Sequence, residues 1–173
     1  QIIPGTDTLL HLALARIILQ EGWQDQEFID QYVAATRYEI DSGFGRGTRN
    51  TPWQWRTTWG ELGATFSEYR DWLLSYEPAK LAYASKTSGI PATQILKAAE
   101  FIAKPVNGDR PKTCFGFEKG NYWSNNYLNT ASYAALALVC GAGNRPGRMV
   151  SRLGGHQRGW YGAASYPRIL SPE

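Results

Sequence analysis

The feature that most limits how this chain can fold is the alternation of amphipathic helical segments with a short apolar segment. Thr113 to Phe117 has the length and composition of a buried strand, and the segment from about Asn125 to Cys140 is rich in Ala and Leu, as a helix is. Helical spacing of apolar residues near the start of the chain predicts a further helix, whose buried face would hold Leu10, Leu14, Ile17 and Ile18. Such alternation is typical of α/β proteins with parallel strands. The sequence therefore predicts an α/β fold of parallel-sheet segments with flanking helices.

More helices are predicted between these two regions. Asp25 is suited to cap a helix at its N-terminus, and the inward residues of that helix would be Phe28, Ile29, Tyr32 and Val33. Later helices are predicted to begin near Ser67, Pro78 and Ser88. Residues 42–63, which contain three Trp, are predicted to be loop, as are most of the residues after Cys140.

These elements divide the chain at about residue 110. Residues 1–110 are predicted to be mainly helical with a Trp-rich loop, and residues 111–173 to form a strand, a helix and a Gly- and Arg-rich active-site loop. The sequence begins as if inside a strand and its only Met is Met149, which predicts an internal fragment of a larger multi-domain protein. The two cysteines, Cys114 and Cys140, lie in apolar runs and are predicted to be buried.

Composition narrows the class of protein. Aromatic residues make up 13% of the chain and charged residues only 19%, which argues against a disordered chain. The sequence contains no internal repeat, no apolar run long enough to span a membrane and no signal-peptide core. Two cysteines alone cannot form a zinc or iron–sulfur site. A globular protein remains.

Charge is distributed unevenly along the chain. The net charge is +3, yet Lys119 to Pro172 contains six Lys or Arg residues and no Asp or Glu. A long acid-free stretch that carries arginine suits an anionic partner, such as phosphate, a pyrophosphate-bearing cofactor or an oxyanion. The alternative is a basic face whose cations pair with acids elsewhere in the fold. Charge alone leaves both interpretations open.

Two strand-to-helix turns are candidate ligand sites, because α/β sheets bind ligands where strands end and helices begin. The first is the turn Pro4-Gly5-Thr6-Asp7, in which Gly5 permits close approach of the backbone and the helix offers free N–H groups. Thr6 and Asp7 could instead serve only as helix caps. The second is the segment from Phe117 to Asn121, in which Glu118 and Lys119 could contact a ligand or form a surface salt bridge.

The third candidate is the segment 141–159, which holds six Gly, four Arg, one His and no acid. Gly154 and Gly155 permit a sharp turn that would aim Arg152 and His156 at one small oxyanion. Arg supplies a fixed positive fork, and His exchanges a proton near neutral pH. The alternative is that a lone His is an exposed surface residue without a function, but the density of Gly and Arg favours a ligand site. Arg152 and His156 are therefore the candidate catalytic residues.

Two long blocks of the sequence resemble a known family. PGTDTLLHLALARIILQEGWQDQEFI and FEKGNYWSNNYLNTASYAALALVCGAGNRPGRMVSRLGGHQRGW resemble the large subunit of arsenite oxidase, in the dimethyl-sulfoxide-reductase family of molybdopterin enzymes. General members of that family carry a Gly-Gln-Asn type of sequence near the end of the second block. This chain instead carries Gly154-Gly155-His156-Gln157-Arg158-Gly159, which resembles the arsenite-oxidising branch. The resemblance extends over essentially the whole chain.

The resemblance implies an oxidoreductase that holds molybdenum between two molybdopterin guanine dinucleotides and oxidises arsenite to arsenate by oxygen-atom transfer. It also implies electron transfer through an iron–sulfur cluster to a Rieske-type small subunit, and then to a cytochrome c or a cupredoxin in the periplasm. The cluster ligands, a second His and a Glu of the substrate funnel would lie outside this sequence, so the 173-residue chain alone would be inactive.

The resemblance also assigns roles to individual residues. Arg152 and His156 would line the arsenite funnel beside molybdenum. The residues that would face the pterin or guanine dinucleotide are Gly5, Thr6, Asp7, Glu118, Lys119 and Gln157. No residue of this chain would bind the metal directly.

Two other functions compete with arsenite oxidation. One keeps the molybdenum cofactor and changes the substrate, since the class also handles nitrate, formate, polysulfide and sulfoxides; the Gly-Gly-His-Gln-Arg sequence argues against it. The other is a module that binds single-stranded nucleic acid through Arg and aromatic side chains. Against it, the Trp cluster at 53–59 is distant in sequence from the Arg cluster at 145–158, and the net charge is only +3.

Overall fold

The computed structural model describes residues 1–38, 64–118, 120–121, 126–143 and 145–152. The helices are α1 (Asp7–Gln20), α2 (Gln26–Tyr32), α3 (Phe66–Ser75), α4 (Leu81–Ser88), α5 (Ala92–Ala103) and α6 (Asn126–Val139), and a short 3-10 helix covers Glu77–Ala79. The strands are β1 (Cys114–Phe117) and β2 (Met149–Arg152). The predicted strand at 113–117 and helix at 125–140 are therefore confirmed to within a residue.

Helix α1 lies at the centre of the described core. It packs against α3, α4, α5 and α6 as well as the 3-10 helix. Every residue from Leu12 to Leu19 is buried, which is the pattern of a helix surrounded on all sides. Leu14, Ile17 and Ile18 are buried as predicted, whereas Leu10 is only partly buried against the core.

Two helix starts follow from N-capping side chains. Asp25 caps α2 by accepting a hydrogen bond from the N–H of Phe28, as predicted. Thr65 caps α3 and forms a capping box with Glu68, so that this helix begins slightly before the predicted Ser67. The helix predicted near Pro78 is divided into the 3-10 helix and α4, since Pro78 lies within the tight first turn.

The prediction that Tyr32 and Val33 point inward is wrong for Tyr32 and only partly met for Val33. Tyr32 is 69% exposed and Val33 is partly buried, whereas Phe28 and Ile29 of the same helix are buried. The reason is the length of α2, which has seven residues and turns its inward face toward the core only in its first half.

Strands β1 and β2 form a parallel pair, as the fold class predicts. Phe115 lies opposite Val150 and Phe117 opposite Arg152. Helix α6 connects the strands, which makes the segment a βαβ unit. The prediction of loop after Cys140 is wrong at Met149–Arg152, because pairing with β1 rather than local sequence makes those four residues a strand.

The prediction that both cysteines are buried is wrong for Cys114. The Cys114 side chain is exposed, whereas its neighbour Phe115 is 5% exposed and contacts the ring of Tyr133 on α6. Successive strand residues point to opposite faces, and in the described residues α6 covers only the Phe115 face. Cys140 is partly buried, and burial raises the pKa of its thiol to about 12. Neither cysteine is in a disulfide.

In the part of the chain that the structure describes, no helix is both long enough and apolar enough to cross a membrane.

Candidate functional site

The carboxyl ends of β1 and β2 meet at one edge of the sheet, which we call the ligand edge. Phe117 ends β1 and lies directly opposite Arg152, the last residue of β2. The chain therefore leaves both strands at this edge, the place where α/β sheets bind ligands. Two of the three candidate segments, 117–121 and the part of 141–159 that follows Arg152, start from the ligand edge.

The remaining candidate, the turn 4–7, forms the start of α1. The prediction that the chain begins inside a strand is wrong for the described residues, because the N–H of Ile3 donates to the carbonyl of Ser88 at the end of α4 and not to a neighbouring strand. Gly5 has a φ of +83°, and a Cβ built on it would meet no atom within 4 Å, so its backbone is open to close approach. The hydroxyl of Thr6 donates to the carbonyl of Ile3 at 2.6 Å and makes no capping hydrogen bond to α1. Thr6 thus occupies the N-cap position without capping the helix through its side chain. Asp7 places a carboxylate in the first turn.

Asn129 of α6 links this turn to the end of β1. The hydroxyl of Thr8 donates to Oδ1 of Asn129 at 2.6 Å, and Nδ2 of Asn129 donates to the carbonyl of Asn121 at 2.9 Å. Asn129 is 1% exposed. One buried amide therefore holds the first turn of α1, directly after the candidate turn 4–7, to the candidate segment 117–121. The sequence analysis did not single out Asn129, although a polar residue in a helix rich in Ala and Leu was a usable signal.

His11 lies beside this link, one turn of α1 after Asp7. Its Nδ1 is 3.0 Å from the hydroxyl of Ser132, and its ring meets the ring of Tyr133 edge-on at 5.0 Å. Because the Ser132 hydroxyl donates to the carbonyl of Asn129 at 3.0 Å, it accepts from His11, which places the imidazole proton on Nδ1. Burial lowers the pKa of His11 to about 4, against the opposing effects of Asp7 and the Asn129 backbone. His11 is therefore neutral at pH 7.

Tyr133 extends the contacts of α6 to the strand itself. Its hydroxyl donates to the carbonyl of Gly116 in β1 at 3.0 Å, and its ring packs edge-on against Phe117 at 5.8 Å. Burial raises the pKa of Tyr133, so the phenol remains a donor at neutral pH. The end of β1 is thus fixed to α6 by a hydrogen bond and by ring packing.

Two of the cations in the acid-free segment do not face the ligand edge. Arg145 and Arg148 both pair with Asp25, and Arg148 does so at 3.1 Å. They precede β2, at the end of the strand opposite to the ligand edge. For these two residues the alternative interpretation, pairing with an acid elsewhere in the fold, is correct.

The remaining candidate groups are only partly within the described residues. Glu118 is partly buried directly after β1. Lys119, His156, Gln157 and the side chain of Arg152 lie outside the described part, so their convergence into one concavity stays a prediction. In the described ranges no group of three or more His, Cys, Asp or Glu side chains is placed to hold a metal ion.

Comparisons with known proteins place this arrangement in context. The chain is 59% identical over 173 residues to the iodate reductase subunit IdrA of Denitromonas iodatirespirans, and 58% identical to that of Pseudomonas sp. strain SCT. It is 29% identical over 162 residues to the arsenite oxidase subunit AioA of Herminiimonas arsenicoxydans. The alignments cover 99%, 99% and 92% of this chain. No protein-family model matches the sequence.

The chain spans about a fifth of the length of the iodate reductase subunits and 15% of the arsenite oxidase subunit. The resemblance to the molybdopterin enzymes is confirmed, but its assignment to the arsenite branch is not, because the iodate reductase subunits are twice as similar. The chain is homologous to part of the large subunits of molybdopterin oxidoreductases.

Proposed function

We propose that this chain forms one wall of the active site in the large subunit of a molybdopterin enzyme that reduces iodate. The observation that carries the proposal is 59% identity to an iodate reductase subunit along 99% of the chain, against 29% to an arsenite oxidase subunit. The parallel register of β1 and β2 supports a single site, since it places Arg152 opposite Phe117, which directly precedes the candidate residues Glu118 and Lys119 in sequence.

The site would bind and reduce a small oxyanion. In the first step iodate gains two electrons and two protons and loses one oxygen as water. Arg152 would bind the oxyanion through its guanidinium fork, and His156 would donate a hydrogen bond or a proton to the departing oxygen. Both groups would stabilise the negative charge that develops on the substrate oxygens during reduction.

The molybdenum cofactor would supply the two-electron oxygen-atom transfer when it is bound. The start of α1 fits its nucleotide part, because Gly5 leaves the backbone open and the Thr6 side chain does not occupy the helix end. The Asp7 carboxylate suits the N–H edge of a guanine better than a phosphate, since like charges repel. Lys119 is the candidate for the pyrophosphate, and Glu118 and Gln157 for polar edges of the pterin.

Further features of the enzyme follow from the same proposal. An iron–sulfur cluster with ligands outside this sequence would carry electrons, and a Rieske-type small subunit would bind the large subunit. A cytochrome c or a cupredoxin would exchange electrons with that complex in the periplasm. For iodate reduction these electrons flow toward the molybdenum centre, and for arsenite oxidation they flow away from it.

Arsenite oxidation is the second candidate. It is favoured by the 29% identity to an arsenite oxidase subunit over 92% of the chain and by the Gly-Gly-His-Gln-Arg sequence at 154–158. The same Arg and His would then hold the hydroxyls of arsenite and the charge that develops on arsenate. The two candidates differ in substrate and in the direction of electron flow, so one preparation distinguishes them.

The test is steady-state kinetics of the holoenzyme that contains this chain. We expect iodate-dependent oxidation of a reduced viologen and little arsenite-dependent dye reduction. His156→Ala should lower kcat/KM for iodate about 10- to 100-fold, because a lost buried hydrogen bond costs about 1–3 kcal/mol. Arg152→Lys should not restore the activity lost in Arg152→Ala, since an ammonium lacks the fork geometry.

Molybdenum content measured on the same preparations separates substrate binding from cofactor binding. Lys97→Gln, which removes a charge from the exposed side of α5, is the matched control. Variants with full molybdenum and unchanged kcat/KM would contradict the assignment of Arg152 and His156. Loss of molybdenum would show instead that Arg152 and His156 act in cofactor binding. If the holoenzyme turns over arsenite and not iodate, arsenite is the substrate and the iodate proposal is wrong.

A further inference from the structure

We propose that Asp25 is a positioning residue that fixes the start of β2 and thereby holds Arg152 at the ligand edge. The inference rests on the proposed function, because it assigns Asp25 a part in binding the oxyanion substrate. The device consists of Asp25, Arg145 and Arg148, which we call the Asp25 clamp.

Asp25 connects three elements at once. It is 2% exposed, and its Oδ1 accepts the N–H of Phe28 at 3.1 Å to cap α2. Its backbone N–H donates to the carbonyl of Val139, the last residue of α6, at 2.9 Å. Its Oδ2 accepts from Arg145 and, at 3.1 Å, from Arg148. A single buried residue therefore contacts the start of α2, the end of α6 and the segment before β2.

The segment that follows α6 is shaped around this residue. Gly141 has a φ of +69°, and a Cβ placed on it would lie 2.8 Å from the Cβ of Asp25 and closer still to its carboxylate. A Cβ on Gly143 would collide with the ring of Phe28. Two of the glycines in the 141–159 segment are thus explained by close packing against Asp25 and Phe28, and not by contact with a ligand.

The clamp leads directly into β2. Arg145 and Arg148 pair through their backbones around Pro146 and Gly147, where Gly147 has a φ of +72°. The Arg145 guanidinium lies 5.0 Å from the centre of the Phe28 ring and donates to the carbonyl of Gly141 at 3.0 Å. Met149, the first residue of β2, follows immediately.

The clamp also reaches the segment before β1. Nη2 of Arg148 donates to the carbonyl of Arg110 at 3.2 Å, and Nη1 of Arg110 donates to the carbonyl of Trp23 at 2.8 Å. Both strands are therefore tied, before their first residues, to the corner between α1 and α2. This arrangement sets the register in which Phe117 lies opposite Arg152.

Charge makes the clamp sensitive to substitution. Burial raises the pKa of Asp25, but hydrogen bonds from Arg145 and Phe28 and the charges of Arg145 and Arg110 outweigh it, so the pKa lies below its ordinary value. The carboxylate is therefore ionised at neutral pH. Removing one partner from a buried ion pair leaves an uncompensated charge, and here two arginines would lose their shared carboxylate.

Distance explains why Asp25 acts through the strand. A strand rises about 3.3 Å per residue, so Arg152 lies about 13 Å beyond Arg148 along the chain. Asp25 therefore does not touch the ligand edge. A shift of one residue in register would turn each side chain of β2 to the other face of the sheet, and with it Arg152.

The experiment compares Asp25→Asn with Thr65→Ala in the holoenzyme that contains this chain. Both changes affect a buried N-cap residue, but Thr65 caps α3, and its side chain hydrogen-bonds to Ser67 and Glu68 of that helix and not to the clamp. In Asp25→Asn we expect KM for iodate to rise at least fivefold while molybdenum content is retained. Amide hydrogen exchange in a peptide covering 145–152 should become at least tenfold faster. Thr65→Ala should change neither value.

Arg148→Gln gives a second and milder variant that keeps Asp25 and Arg145, and it decides the question if Asp25→Asn does not fold. Its exchange rate and KM should shift in the same direction by smaller factors. Unchanged exchange in 145–152, or equal effects of Asp25→Asn and Thr65→Ala, would overturn the positioning role. A wild-type enzyme that does not turn over iodate would refute the proposed function alone, since the exchange comparison still decides whether the clamp holds β2.

Discussion

A partly buried histidine joins α1 to α6. His11 faces Ser132 and Tyr133, with Asp7 one turn earlier on the same helix. The hydroxyl of Ser132 accepts a hydrogen bond from Nδ1, and burial of the ring favours the neutral imidazole. Protonation would add a charge in a partly buried place whose nearest acid is Asp7, which does not compensate the loss of hydration.

Stability should therefore depend on pH through His11. The folded pKa is about 4 and the ordinary value is 6.5, so the unfolded chain binds a proton first as the pH falls. The free energy of unfolding should fall by about 2 kcal/mol between pH 7 and pH 5 from this group alone. The fall should continue to about pH 4 and then level off, because His11 is then protonated in the folded chain as well. Urea denaturation of the chain at both pH values measures the change.

His11→Asn is the matched variant, because its amide can donate to Ser132 and does not titrate. Its free energy of unfolding should change less between pH 7 and pH 5 than that of the wild type, by the same 2 kcal/mol or so. An equal pH dependence of both proteins would refute the neutral, buried state of His11.

At the scale of an element, the turn from α6 into β2 is specified by its glycines. Gly141 and Gly22 have nearly the same φ, +69° and +68°. A Cβ on Gly22 would meet no atom within 4 Å, whereas one on Gly141 would run into Asp25. A residue other than Gly is strained by the positive φ at both positions. The positions differ in the atoms that its Cβ would meet.

Gly141→Ala should consequently destabilise the fold more than Gly22→Ala. Alanine in the left-handed region costs about 1 kcal/mol at either position, and displacing Asp25 from its ion pairs should add about 2–3 kcal/mol at Gly141. Thermal or urea unfolding of the two variants gives the difference. Equal losses would show that the Asp25 clamp tolerates the extra methyl.

At the scale of the whole molecule, α6 covers one face of the sheet over β1 within the described residues, while Val150 of β2 on that face is 38% exposed and the other face is uncovered. Phe115 is buried against α6, whereas Cys114, Gly116 and Met149 are exposed. Parallel sheets are normally covered on both faces. Because the chain spans about a fifth of its iodate reductase relatives, the rest of such a subunit has the length to cover the second face.

The labelling rates of the two cysteines test whether the exposed face of the sheet is covered in the holoenzyme. In the 173-residue chain, Cys114 should react with a thiol reagent at the rate of an exposed thiol, and Cys140 only on unfolding, because burial raises its pKa to about 12. In the holoenzyme we expect Cys114 to be protected as well. Cys114→Ser identifies the fast thiol. Fast labelling that persists in the holoenzyme would show that the Cys114 face stays exposed to solvent.

Much of the fold follows from local sequence. Helix α1, the Asp25 cap, helix α6 and strand β1 are predicted to within a few residues, because periodicity and capping depend on neighbours in sequence. Of the candidate site, the end of β1 is predicted in the same way, whereas the end of β2 is not, because Met149–Arg152 is predicted as loop. Asn129 and His11 are not, since their partners are about 120 residues away.

The sequence by itself determined which segments are helical, where β1 lies, that the strands are parallel and which residue types follow them. Those features depend on contacts between neighbours in sequence and on the limited number of ways to bury an apolar strand. Only the tertiary structure decided that Met149–Arg152 is a strand, that Cys114 is exposed and that Arg145 and Arg148 belong to Asp25 and not to a ligand. A strand of four residues is stabilised by its partner, and a charge by whichever opposite charge the fold brings to it, so neither can be read from the segment alone.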